Sequence, residues 1–479
     1  MKIKTPGQFK TLEDFEQRWA ELAPDLGLDR ELLGSAGPLG QPMEVHGRTI
    51  GNRWAIHPME GWDGTAEGMP SEDTLRRWQR FGLSGAKLIW GGEAVAVTAD
   101  GRANPHQLFV NPEVESEAGL TQLRTALLDA HVGEGMSTDD LYMGLQLTHS
   151  GRYARPSSEG PKPRVGYRHP VLDERSGVTS DDAILTDTEL DDLMGDFVGA
   201  AKLAQLSGFD FVDVKCCHGY LLHELLGGKT RPGKYGGSFE NRTRFFRETV
   251  AAIRAECPGL DIGVRVSIGD ILPFQPGVDR RGEPQAWSGE QPYLFGFGVS
   301  EQDPRQVDLG ESLAFLRLVR DLGVRLVNLT LGSPYYNPHL QRPAAYPPSD
   351  GYQPPEDPLI QVAEHLRITA RCKAEVPELA LVGTGYSYLQ EWLPHIAQSQ
   401  VGAGHVDFVG LGRMVLSYPD MPRDVLAGKQ LVRKKICRTF SDCTTAPRNG
   451  MKSGCYPLDD HYKHREEYKT LREIKKRLS

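Results

Sequence analysis

Residues Gly208–Phe245 read GFDFVDVKCCHGYLLHELLGGKTRPGKYGGSFENRTRF, and this stretch decides the fold. Phe211–Lys215 predicts a strand of about five residues, bounded by glycine on one side and a polar turn on the other. An apolar Tyr-Leu-Leu…Leu-Leu run follows and stops at Gly227–Gly228. Lys215, His218 and Tyr220, three groups capable of proton chemistry or anion binding, therefore fall just past the carboxyl end of a strand. A (β/α)8 barrel keeps its active site at that end of its strands.

The rest of the chain is compatible with one such barrel. At 479 residues it exceeds the usual single-domain size, but barrels grow to 400 residues or more through insertions. The expected architecture is an α/β fold, a TIM barrel over 46–430, with an N-terminal arm over 1–45, long lid loops and a C-terminal extension over 431–479. A net charge of −9, with no basic block before the last turns, argues against nucleic-acid binding and favours small-molecule chemistry. No run of about 18 apolar residues occurs, and the charged start MKIKTPGQFKTLEDF has no apolar segment behind it, so a cytoplasmic protein without a membrane partner is expected. Seven cysteines, two of them adjacent at Cys216–Cys217, suggest reduced thiols. The sequence leaves a homo-oligomeric state open.

Working outward, strands are expected at Arg53–His57, Lys87–Trp90, Leu141–Leu147, Ile262–Val266, Leu326–Leu329, before Gly383 and at Phe408–Gly410. Ser71 is the expected N-cap of a helix with acidic residues in its first turn. A second helix opens at Thr186, and one helix is expected from about Phe239 to Glu256. Tyr153–Asp182, rich in Pro, Arg and Ser, reads as a lid, and 271–306 as an insertion that shapes access to the barrel mouth.

His218-Gly219-Tyr220, followed by Tyr235-Gly236-Gly237-Ser238-Phe239-Glu240-Asn241-Arg242, resembles the fourth-strand segment of the old yellow enzyme family of flavin-dependent oxidoreductases. Further segments resemble that family in the same order, and the resemblance implies an FMN-binding barrel reduced by NADH or NADPH. Pro58, Met59 and Glu60 occupy the end of its first strand beside the flavin, and Trp62 the place of an aromatic substrate contact. Gly92, Glu93 and Ala94 would pass the flavin edge through their backbone. Gln146 would hydrogen-bond the pyrimidine edge, whose planar donor–acceptor face an amide complements, while His149 is read as structural. Arg265 would face flavin N1, where a guanidinium offsets developing negative charge. Gly385, Gly412 and Arg413 match the phosphate site. Tyr335 or Tyr336 would reach the pocket as a substrate contact, in a loop whose layout leans toward the dienoyl-CoA reductase and trimethylamine dehydrogenase branch.

Two positions depart from the pattern. Lys215 stands where the family has the first histidine of a pair that donates hydrogen bonds to the substrate oxygen. An ammonium there suits an anionic oxygen, unless Lys215 merely pairs with Glu60 or Glu93. Glu60 puts a carboxylate where a neutral side chain is usual. In the dienoyl-CoA reductase branch four cysteines after the barrel hold a [4Fe–4S] cluster. Here only Cys443 and Cys455 keep the spacing, Cys437 is out of register by one, and Ile436 and Phe440 stand at the other two positions, so no cluster and no metal site is expected.

The reading that follows is reduction of an activated C=C bond in a small, anionic substrate, with Tyr220 supplying the proton and His218 and Lys215 holding the oxygen. The alternatives are a flavin-dependent dehydrogenase or demethylase of an amine, and a flavin-binding barrel without ene-reductase activity.

Overall fold

The structure is a computed structural model that describes residues 3–287, 289 and 291–478. Eight strands form the barrel: β1 (Trp54–Ile56), β2 (Leu88–Ile89), β3 (Tyr142–Thr148), β4 (Phe211–Val214), β5 (Asp261–Ser267), β6 (Leu326–Thr330), β7 (Ala380–Gly383) and β8 (Phe408–Leu411). Each is parallel to the next, and β8 pairs with β1 through Leu411 and Ile56 to close the ring. Both faces of a barrel strand are covered, so these segments read as continuous apolar runs rather than alternating ones. All seven residues of β3 are buried.

The helices that follow the strands are set by local signals. Helix α2 (Glu72–Gly82) begins where the Ser71 hydroxyl accepts the amides of Asp73 and Thr74. Helix α4 (Asp187–Leu206) carries a reciprocal cap between Thr186 and Glu189. Between them lies α3 (Ser116–Gly133). The helix expected from Phe239 to Glu256 is broken at Thr243, because a separate turn, Phe239–Arg242, is capped by Ser238 before α5 (Arg244–Glu256) starts.

The appendages close the two ends of the barrel. In the arm, α1 (Leu12–Leu22) buries Phe15 and Trp19, and the Phe15 ring stacks on Trp392 at 5.5 Å. A hairpin of Met43–Val45 with Arg48–Ile50 follows. Its Val45 and Ile50 pack with Leu88, Tyr142, Phe211, Leu326, Ala380 and Phe408, at the amino-terminal ends of the strands, and plug that end. At the other end lies the extension. Its Ala446, Tyr456, Tyr462 and Leu471 form a small core of their own, and Asp73 on α2 takes Lys452, His461 and Arg465 at once. Arg76 adds a two-bond clamp on Asp459 at 2.9 Å.

The lid is fastened rather than loose. Buried Arg152 bonds Asp173 of the lid's short helix Leu172–Ser176 and Glu224 below it. The 271–306 insertion contains a hairpin of Phe274–Pro276 with Gly282–Pro284; Ser288 and Glu290 within it lie outside the described residues. No helix among the described residues is long and apolar enough to cross a membrane.

Candidate active site

A cavity of about 930 Å³ opens at the carboxyl ends of the strands, within the usual range for a bound ligand. Its floor is organised by one residue that the sequence reading did not single out. Asp213, in β4, accepts the Trp90 indole and the Gln146 amide with one oxygen, each at 2.6 Å, and the Arg265 backbone amide with the other at 2.7 Å. It therefore sets the orientation of Gln146 and the height of Arg265, the two side chains aimed at the cavity from neighbouring strands. The available signal was an aspartate inside an otherwise apolar strand, which must find partners when buried.

Cations dominate the walls. Arg265 is buried and its Nε has no hydrogen-bond partner among the described residues. The same holds for Nη1 of Arg413, whose Nη2 donates to the Pro343 carbonyl at 2.9 Å. Arg342, also without a sequence signal, contributes an unpartnered Nη2; burial, then Arg448 and Arg413, pull its guanidinium down to about 9. Beside Arg413, nothing stands within 4 Å of where a Cβ on Gly412 would project. Gly385 turns the chain out of β7 with φ +99°, which glycine adopts without strain.

The catalytic candidates converge on the same space. Lys215 is 4% exposed and has no hydrogen-bond or ion-pair partner among the described residues; its Nζ sits 3.8 Å from the centre of the Tyr220 ring. Burial pushes its ammonium below the usual lysine range. The His218 imidazole, beside the Gln341 amide at 3.2 Å, is held neutral by burial and by Arg265 and Lys215. The Tyr220 hydroxyl donates to Glu60 and lies 2.9 Å from the Tyr335 hydroxyl. Tyr153 stacks on Tyr335 at 3.9 Å, and the Arg448 guanidinium covers Tyr335 at 5.3 Å. Pro58, Met59, Glu60, Trp62, Gln146, Gly385, Gly412 and Arg413 line the cavity with them.

Two expectations are corrected, and one alternative falls. Ala94 does not line the cavity: it pairs in register with Gln146, and its carbonyl is taken by Gln107 at 2.8 Å. Tyr336 does not either, because its hydroxyl turns away to donate to Asp270 at 2.8 Å; Tyr335 is the tyrosine that faces in. Lys215 pairs with neither carboxylate suggested for it. Glu93 is buried against Arg77 at 2.7 Å, which also holds Asp63 at 2.8 Å, and Glu60 serves Tyr220. His149 is structural, accepting the Gly151 amide at 3.1 Å.

The NADH:flavin oxidoreductase / NADH oxidase family matches residues 38–280, just over half of the chain. The chain belongs to this family. An NADH:flavin oxidoreductase of Gibberella zeae is 29% identical over 272 residues, covering 52% of this chain and 61% of that protein. An NADPH dehydrogenase of Geobacillus thermodenitrificans is 24% identical over 390 residues, covering 80% and 92%. Against the first of these, then, the chain spans less than two thirds of the relative's length. In fold, a 2-naphthoyl-CoA reductase in complex with 2-naphthoyl-CoA superposes with a TM-score of 0.65 at 16% identity, over 90% of this chain and 58% of that one.

The flavin of an NADH:flavin oxidoreductase fits these residues. The guanidinium nitrogens left without a partner on Arg265, Arg413 and Arg342 suit an anion, since a buried cation is stabilised by an opposite charge. The corner at Gly412 leaves room for a phosphate against backbone. The tail cysteines are different. Cys437, Cys443 and Cys455 border a small chamber of about 20 Å³ beside Arg413, Cys443 and Cys455 also reaching the main cavity, and burial pushes their thiols up, Cys437 to about 11. Among the described residues no group of three or more His, Cys, Asp or Glu side chains is arranged to hold a metal ion.

Proposed function

We propose that the protein is an FMN-dependent oxidoreductase that uses NADH or NADPH to reduce an activated C=C bond in a small anionic substrate. FMN, when bound, supplies hydride transfer between nicotinamide and substrate. Arg265 and Gln146 hold its ring, and Arg413, Arg342, Gly385 and Gly412 its phosphate. His218, neutral, and Lys215, cationic, bind the substrate oxygen, and Tyr220 carries the proton that the α-carbon needs.

The observation that carries this reading is the unpartnered Lys215 ammonium beside Tyr220. Arg413 and Arg342 are answered by a phosphate and Arg265 by the flavin ring. Lys215 is then the cation left over for the substrate, and only an anionic oxygen satisfies it without a further charge. The amine alternative is disfavoured by the same charge, because a protonated amine would meet the unpartnered Lys215 ammonium. We read the tail as lacking a [4Fe–4S] cluster, since its three cysteines, Cys437, Cys443 and Cys455, fall one short of the four thiolates a cluster needs.

Anaerobic stopped-flow of the flavin-loaded protein tests the reading. NADH or NADPH should bleach the flavin, and an α,β-unsaturated carboxylate or thioester should restore its colour. Bleaching by amines with none by NAD(P)H would overturn it.

A further inference from the structure

We infer that Glu60, Tyr220 and Tyr335 form a proton relay whose store is the Glu60 carboxyl and whose delivering atom is the Tyr335 hydroxyl. The inference rests on the oxidoreductase reading above and deepens it. A tyrosine hydroxyl has one proton and accepts through its lone pairs. With Glu60 ionised, the Tyr220 proton is committed to Glu60 Oε2, so the 2.9 Å bond between the two hydroxyls is donated by Tyr335. The Tyr335 oxygen then keeps an open lone pair. When Glu60 is protonated the chain reverses: Glu60 donates to Tyr220, Tyr220 to Tyr335, and the Tyr335 proton is the one left free.

Accessibility agrees with that order. Tyr220 is 3% exposed and both of its hydroxyl contacts are internal to the chain, whereas Tyr335 is half-buried and its only hydroxyl partner among the described residues is Tyr220. The Tyr335 ring is held by Tyr153 on one face and approached by Arg448. Lys215 lies against the Tyr220 ring, where a cation favours transient negative charge on the phenol.

The step balances as follows. FMN, when bound, would supply the hydride that NAD(P)H gives up and the substrate β-carbon receives. A C–H bond forms at the α-carbon as the Tyr335 O–H breaks. Tyr335 regains a proton from Tyr220, Tyr220 from Glu60, and Glu60 is left as carboxylate, to be protonated by solvent before the next turnover. Run backwards, the same chain withdraws a proton from a saturated product.

The test compares Tyr335→Phe and Glu60→Gln with wild type in the two half-reactions separately. Both variants should still be bleached by NAD(P)H, with the loss falling far more heavily on the substrate half-reaction than on this one. Both should slow the substrate half-reaction by about a hundredfold or more, the usual weight of a positioned acid. Glu60→Gln still accepts the Tyr220 hydroxyl but cannot carry a proton, so its rate should lose the dependence on a carboxyl ionisation. If Tyr335→Phe reacts like wild type, Tyr220 delivers directly and the relay is wrong. If Glu60→Gln keeps the wild-type pH profile, Glu60 is not the store. Infrared difference spectra give a second readout: a protonated-carboxyl band that titrates in wild type, is missing in Glu60→Gln and shifts in Tyr220→Phe. A titrating band unmoved by Tyr220→Phe would sink the link even if a variant fails to load flavin. Failure of the oxidoreductase reading shows separately, in wild type itself, as a flavin that neither NADH nor NADPH bleaches.

Discussion

Replacing Lys215 by methionine should move stability and ligand binding in opposite directions. The side chain is buried and unpartnered, and burial already pushes its ammonium down, so the folded protein carries an uncompensated desolvation cost. Methionine has a similar length and no charge, so the variant's unfolding midpoint should rise. Binding of an anionic ligand should weaken, because the ligand oxygen loses the one cation left to it. Truncating one partner of a buried charge pair costs about 2–5 kcal/mol, and at about 1.4 kcal/mol per tenfold the Kd should increase at least about thirtyfold. The assay is titration of flavin-loaded protein with a substituted phenol, followed by the long-wavelength band of the bound phenolate, beside urea unfolding of the same samples. An unchanged Kd, or a variant less stable than wild type, would mean that Lys215 is satisfied inside the protein and that the anionic-substrate argument fails.

Arg265→Ala or Arg413→Ala should weaken FMN binding by several kcal/mol, measured by recovery of free-flavin fluorescence on dilution; full occupancy in both would refute the cofactor assignment. Arg77→Met leaves Asp63 and Glu93 buried without their cation and should cost about 3–5 kcal/mol in urea unfolding. Acid should destabilise the fold well above the carboxylate range. Burial pulls His149, His223 and His365 down to about 4, below their unfolded value of about 6.5. Between those two values the unfolded chain binds protons that the folded one does not, so stability present above about pH 6.5 is lost as pH falls, by up to about 1.4 kcal/mol per unit for each histidine. A flat urea midpoint between pH 7 and pH 5 would contradict this.

The barrel was legible because its strands are short apolar runs closed by glycine or by polar turns, and because the chemistry sits at fixed places after them. Lys215, His218, Gln146, Arg265 and Arg413 reach the cavity as the order of segments implied. Tyr335 and Tyr336 were not separable: adjacent residues leave the backbone in opposite directions, and only the position of Asp270 decides which turns inward. Ala94 was misjudged because a strand continuation hides it behind Gln146. Asp213 escaped notice since its three donors come from three different strands or strand ends, a convergence that no local pattern encodes. Arg342 and Arg448 were invisible for a related reason. The extension's docking depends on pairs such as Asp73 with Lys452, hundreds of residues apart in sequence.

The roof over the cavity has a consequence for how the protein is made. Cys443, Thr444, Arg448, Ser453 and Tyr462 are walls of the site, yet they leave the ribosome after all eight strands. A nascent barrel can thus close and bury its core while its active site is still an open bowl, with Arg448 absent and Trp62 lacking its bond to Ser453. Completion of the chamber waits for the tail to fold back onto α2.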